Sequence, residues 1–142
     1  MKLLVINGPN LNFLGIREPE VYGKEDYASL VKMIERHAAE QGHSVTVFQS
    51  NHEGAIIDRI QEAYRDGTEG IVINPGAYTH TSYAIHDALK SVAAIRKAEV
   101  HISDISAREP FRKESVTAAA CDTMIAGKGL AGYLEAMDYL TA

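Results

Sequence analysis

Residues Gly70 to Asn74 read GIVIN, an unbroken apolar core bounded by a glycine and an amide. So short a β-branched run is a strand, and its lack of alternation predicts burial on both faces, as inside a parallel sheet. Its flanks agree. Upstream, Glu53 to Asp66 is predicted helical, with Ile56, Ile57, Ile60, Ala63 and Tyr64 inward and Gly67 as the stop. Downstream, Thr81 or Ser82 caps a helix running from Ser82 to about Ala94. A buried strand between two such helices belongs to a βαβ arrangement.

The same alternation extends outward. Leu3 to Asn7 is a second apolar run and strand one, and Ser44 to Gln49 is strand two. Between them Tyr27 to Glu40 is helical, with Tyr27, Leu30, Val31, Ile34 and Ala38 on one face and Gly42 at the end. Glu99 to Ser103 is strand four, Thr123 to Ala126 strand five, and Leu130 to Leu140 a closing helix. Ile105 to Val116 carries a weak helix signal and reads as an irregular loop with one turn. The expected fold is α/β: a flavodoxin-like, doubly wound, five-stranded parallel sheet of order 2-1-3-4-5 with helices on both faces. All of 1–142 is expected to form a single domain.

Composition narrows the function classes. A net charge of −5 gives no field attracting nucleic acid or an anionic membrane. No apolar run is long enough to span a bilayer. Met1 to Leu4 lead straight into strand one without a signal-peptide pattern, so a cytoplasmic protein is expected. Cys121 is the sole cysteine, which excludes an intrachain disulfide and a thiolate zinc knuckle, and it reads as a small core residue.

In doubly wound sheets ligands bind beyond the carboxyl ends of the strands, near the switch in strand order. Strand one is followed by GPNLNFLGIREPEVYG, residues 8–23, far more polar functionality than a turn requires. Strand two is followed by Ser50, Asn51 and His52, strand three by Pro75 to His80, and strand four by Arg108, Glu109 and Arg112. Arginines bind carboxylate or phosphate, amides and hydroxyls bind a polyhydroxylated body, and histidine and tyrosine move protons. The edge suits a small, hydroxylated organic acid. His101 is either a neutral core histidine or, from its place at the strand end, a functional one. His80 and Asp87 are either ordinary polar positions or members of the site. His37 and His43 read as solvated, and His86 has no evident partner. His52, His80 and His101 lie in three different loops with no short-range ligand pair, so no metal is expected. There is no GxGxxG, no P-loop and no GxSxG elbow.

Four stretches together resemble type II 3-dehydroquinate dehydratase: GPNLNFLGIREPEVYG at 8–23, NHEG at 51–54, INPGAYTHTSYAIHDAL at 73–89 and EVHISDISAREPFR at 99–112. The similarity runs on to GKGLAGY near the end of the chain. It implies reversible dehydration of 3-dehydroquinate to 3-dehydroshikimate through an enolate, without a cofactor, in the shikimate pathway. By position it makes Tyr22 the base, Arg17 the group that helps ionise it, His101 the acid, and Asn12 the amide that stabilises the enolate. Asn74, His80, Asp87, Ile102, Ser103 and Arg112 become the substrate-binding set. It also implies a homododecamer built from trimers.

The chemistry is consistent with those roles. A tyrosine with a reference pKa of about 10 needs a neighbouring cation to act as a base near neutrality, and Arg17 and Arg112 are candidates. Glu99 lies two residues before His101 on the same strand face and is positioned to orient or charge it. Gly15 and Gly23 bracket Arg17 and Tyr22, so this segment is expected to be a lid that closes over substrate. Asp104 stands where the family often has asparagine, either paired with Arg108 or Arg112 or turned away. The alternative reading is a flavodoxin-like FMN-binding or non-catalytic domain. The asparagines after strand one, in place of a serine- and threonine-rich phosphate loop, argue against it.

Overall fold

The computed structural model describes residues 1–16, 25–112 and 114–142. Its five strands are β1 (Lys2–Asn7), β2 (Ser44–Gln49), β3 (Gly70–Asn74), β4 (Arg96–His101) and β5 (Thr123–Ala126). They form one sheet of order β2-β1-β3-β4-β5, parallel at every pairing. The helices are α1 (Tyr27–Glu40), α2 (Glu53–Arg65), α3 (Tyr83–Ser91) and α4 (Ala131–Thr141).

Strand periodicity sorts the apolar residues into two layers. Leu3, Val5, Val72, Ala98 and Val100 face α1 and α4, where Leu30, Ile34, Tyr133 and Met137 meet them. Leu4, Ile6, Ile71 and Ile73 face α2 and α3, against Ile56, Ile60, Ile85 and Leu89. β3 is buried along its whole length, as a strand covered on both faces must be. Asp26 caps α1 by accepting the Ser29 N–H, and Ser82 caps α3 by accepting from Ile85.

Several details differ from expectation. β4 begins at Arg96, three residues earlier than the apolar pattern suggests, because Arg96 and Lys97 pair with Gly70 and Ile71 despite their charge. α3 ends at Ser91, and a turn replaces its expected last residues. Tyr64, expected inward, is 70% exposed: it sits one position beyond the Ile56–Ile60–Ala63 stripe that meets the sheet. After β4 the chain makes short 3-10 turns at Ile105–Ala107, Pro110–Arg112 and Ala118–Ala120 instead of a crossover helix. The last of these runs over β4 and α3, a position a helix would otherwise fill.

Candidate active site

Strand order reverses between β1 and β3, because the chain steps outward to β2 and then back past β1. The carboxyl ends of both strands are pressed together there. Gly8 N–H donates to the Asn74 carbonyl at 2.8 Å, and a β-carbon on Gly8 would lie 2.4 Å from the Pro75 oxygen. Gly76 takes φ +62° against Pro9, a conformation glycine adopts freely. The cleft opening above this junction is walled by Pro9, Asn10 and Leu11 from β1's loop and by Asn74, Gly76, Ala77 and His80 from β3's. Its far side is His101, Ile102 and Ser103 at the end of β4, with Ile105, Arg108 and Arg112 beyond.

Of the expected residues, the structure therefore brings Asn74, His80, His101, Ile102, Ser103 and Arg112 into one cleft. His80 spends Nδ1 on the Glu114 carbonyl at 2.6 Å. A carbonyl only accepts, so Nδ1 carries a proton and Nε2 is the ring nitrogen left for the cleft. The Arg112 Nε is 2.7 Å from a Glu109 carboxylate oxygen, and its guanidinium lies 4.9 Å from the centre of the Phe111 ring. Asn74 donates to the Tyr133 hydroxyl at 2.9 Å and accepts the Gly76 N–H at 3.1 Å, so its amide is fixed from both ends.

Two members stand elsewhere. Asn12 is exposed and is not part of the cleft wall; the Gln49 amide nitrogen lies 3.3 Å from its side-chain oxygen. Asp87 is exposed on α3, also away from the wall. Arg17, Tyr22 and the expected lid lie outside the described residues. β2's loop braces the site without lining it: Asn51 accepts the Asn10 N–H at 3.0 Å, and Gln49 donates to the Gly8 carbonyl at 3.1 Å. Asn10 holds the left-handed conformation, φ 70°, that this bracing requires and that asparagine tolerates. Asp104 turns away from the cleft to accept the N–H and hydroxyl of Ser106 at 3.0 and 2.7 Å. Those bonds, hydroxyl first, hold its carboxyl below the usual range.

His101 is buried, and its Nε2 is 2.7 Å from Oε2 of the fully buried Glu99. Burial pushes the Glu99 carboxyl up, but hydrogen bonds from His101, Thr117 and Ser115, together with the charge of His101, more than offset it, so its pKa lies below the usual value. With Nε2 engaged by Glu99, Nδ1 is the ring nitrogen left to face the cleft. Sequence reasoning paired Glu99 with His101 but found neither Thr79, Ser115 and Thr117 around them nor Tyr133 behind Asn74. The hydroxyl residues lie 16 or more positions from Glu99 or His101 in the chain, and no periodicity links them. His86, without an evident partner in sequence, donates to the Val116 carbonyl at 2.7 Å and helps hold that segment down.

The fold and cleft define a class: a doubly wound α/β protein with a switch-point site for acid–base chemistry on a small anionic substrate. The sequence model of the family described as Dehydroquinase class II matches residues 1–141. The chain is 62% identical to the 3-dehydroquinate dehydratase of Lachnospira eligens over 97% of this chain and 94% of that one. The crystal structure of the type II dehydroquinase from Butyrivibrio crossotus superposes with a TM-score of 1.00 at 61% identity, covering 100% of this chain and 98% of the other. The type II dehydroquinase from Propionibacterium acnes gives a TM-score of 0.94 at 42% identity, covering 99% and 97%. The chain belongs to the class II dehydroquinase family.

Proposed function

We infer that this chain is a hydro-lyase that removes water from 3-dehydroquinate to give 3-dehydroshikimate, a step of the shikimate pathway. The observation that carries the mechanism is His101 in the cleft wall, its Nε2 tied to the buried carboxylate of Glu99. An acid must hold a proton and aim it. A buried negative partner on one ring nitrogen favours the imidazolium and directs the other nitrogen outward.

The reaction runs in two steps. Tyr22, ionised with the help of Arg17, takes the proton on the carbon beside the ketone, and the electron pair moves onto the carbonyl oxygen as an enolate. Asn12 supplies the amide that stabilises it. The enolate then collapses, the carbon–oxygen bond to the β-hydroxyl breaks, and His101 gives its proton so that water leaves. Arg112, with Ile102 and Ser103 beside it, holds the substrate carboxylate. Asn74 and His80 hold the ring hydroxyls.

Residues 1–142 act as one catalytic domain in a cytoplasmic, homododecameric enzyme assembled from trimers. Asp87 lies outside the cleft of its own chain. In such an assembly its place in the binding set is at a neighbouring chain's cleft.

The conjugated enone of the product absorbs in the ultraviolet, so mixing 3-dehydroquinate with the purified chain should give a rising absorbance. No rise from folded protein would overturn the assignment. Tyr22→Phe should lose nearly all turnover. Arg17→Ala should cut kcat far more than it raises KM, and a loss confined to KM would remove it from the catalytic step.

A further inference from the structure

β4 carries Glu99 and His101 on the face away from Ala98 and Val100, and the segment 115–121 covers that strip in place of a helix. The cover is anchored where Val116 N–H donates to the Thr79 carbonyl at 2.7 Å. It sets hydroxyls around Glu99. Ser115 donates to Oε2 at 2.7 Å, and Thr117 donates to Oε1. The Thr79 hydroxyl is 3.1 Å from that of Thr117 and 3.4 Å from His101 Nε2. Thr79 and Thr117 are wholly buried, and none of the three hydroxyl residues lines the cleft.

Three donors converge on Glu99, and they favour its carboxylate form. As a carboxylate, Glu99 only accepts, and it faces the His101 N–H and the Ser115 and Thr117 O–H groups. Both hydroxyl protons are then committed, so Thr79 must donate to the Thr117 oxygen. A protonated Glu99 would instead have to donate to the Thr117 oxygen, whose own hydroxyl would then turn to Thr79 at 3.1 Å or Ser115 at 3.2 Å, so Glu99 would lose one of its three donors. The carboxylate form keeps all three charge-assisted hydrogen bonds, the stronger arrangement in a buried site.

No other titratable group around the cluster takes the place of Glu99 as the acceptor for His101. Burial and then the Glu99 charge push the Cys121 thiol up to about 12, so it stays neutral. Lys97, on the same strand, is lowered by burial and faces Asp122 and Cys121. His86 and His80 are tied to the Val116 and Glu114 carbonyls.

We propose that Thr117 and Ser115, with Thr79 behind them, are positioning residues for the acid step: their hydroxyls hold the Glu99 carboxylate as the acceptor for His101 Nε2, so that His101 is aimed at the leaving hydroxyl. This rests on His101 being the acid. The test is steady-state kinetics of the full chain with 3-dehydroquinate across pH, comparing the near-isosteric Thr117→Val with Thr117→Ser. Thr117→Val removes the partner of Glu99 Oε1. It should lower kcat about tenfold, keep KM within about twofold, and move the acid-side fall of kcat up by about one pH unit. Thr117→Ser should restore all three. Ser115→Ala should shift the profile in the same direction by less, and it decides the matter if Thr117→Val does not fold. A profile unchanged in shape, or Val and Ser variants that behave alike, would overturn the proposal. His101→Ala in parallel separates the two claims. If it keeps parental kcat, the acid assignment fails and takes the proposal with it. If it collapses while Thr117→Val and Ser115→Ala match the parent in profile, only the hydroxyl proposal fails.

Discussion

At the scale of single residues, the site depends on which atom of each side chain the protein has already engaged. Glu99 illustrates this most sharply. Its carboxylate is the acceptor for His101, Ser115 and Thr117, so Glu99→Gln keeps the shape and removes the charge. We expect kcat to fall roughly 10- to 100-fold, part of what a general acid supplies, with KM nearly unchanged. Equal losses in kcat and affinity would mean that Glu99 shapes the cleft instead. Asp104 is the milder case. Both bonds to Ser106 use one carboxyl oxygen, an acceptor that asparagine also has. Asp104→Asn should therefore leave KM within about twofold at physiological ionic strength, where an exposed charge is screened within about 8 Å. The residue pattern made His101 and Glu99 legible in advance because two positions on a strand share a face. Asn12 and Asp87 take definite roles only from the resemblance, and in one chain they stand away from the cleft wall.

At the scale of elements, the site exists because β1 and β3 converge. Gly8 is the contact point, with Pro75 backbone where a side chain would go. Gly8→Ala must push the β1 and β3 loops apart. We expect about 1–3 kcal/mol of lost stability by urea unfolding, the usual cost of overpacking, together with a marked fall in kcat/KM. Wild-type kcat/KM would show that the two loops can separate without harm to the cleft. Element boundaries were legible where the apolar pattern carried them, as in β3 and α1. They were misread where charge lies within a strand: Arg96 and Lys97 form β4's start because the backbone pairing with β3 does not depend on side-chain polarity. The turns after β4 were equally hard to read, since they are held by contacts with distant segments.

At the scale of the whole molecule, a buried relay joins the chain's beginning to its end. Tyr133 of α4 donates to Asn7 at 2.6 Å and accepts from Asn74, while Asn7 also reaches the Tyr27 hydroxyl at 3.3 Å. Burial pushes the Tyr133 hydroxyl far up, so it remains a neutral donor. Tyr133→Phe should cost about 1–3 kcal/mol in urea unfolding, the usual penalty for stranding buried polar groups, and raise KM because Asn74 loses one of its anchors. Unchanged stability would mean that other groups satisfy the amides. Acid should also destabilise the fold. Asp66 is lowered chiefly by the Thr68 hydroxyl, and Glu99 by bonds that outweigh its burial. A carboxyl lowered on folding stabilises above its unfolded pKa of about 4, and that stability is lost as pH falls through the folded value. Thermal midpoints should hold from neutral down to mid-acid pH and drop below it, with a shallower drop in Glu99→Gln; the same slope in both would remove Glu99 as a contributor. The sequence by itself determined the sheet order, the helix faces and the edge on which chemistry collects, because periodicity and strand-end position are local and directional. Only the tertiary structure decided which polar groups meet: Glu99 with Ser115 and Thr117, Asn7 and Asn74 with Tyr133. Those partners are unrelated in sequence spacing, and it is packing around a buried polar atom that requires each to be satisfied.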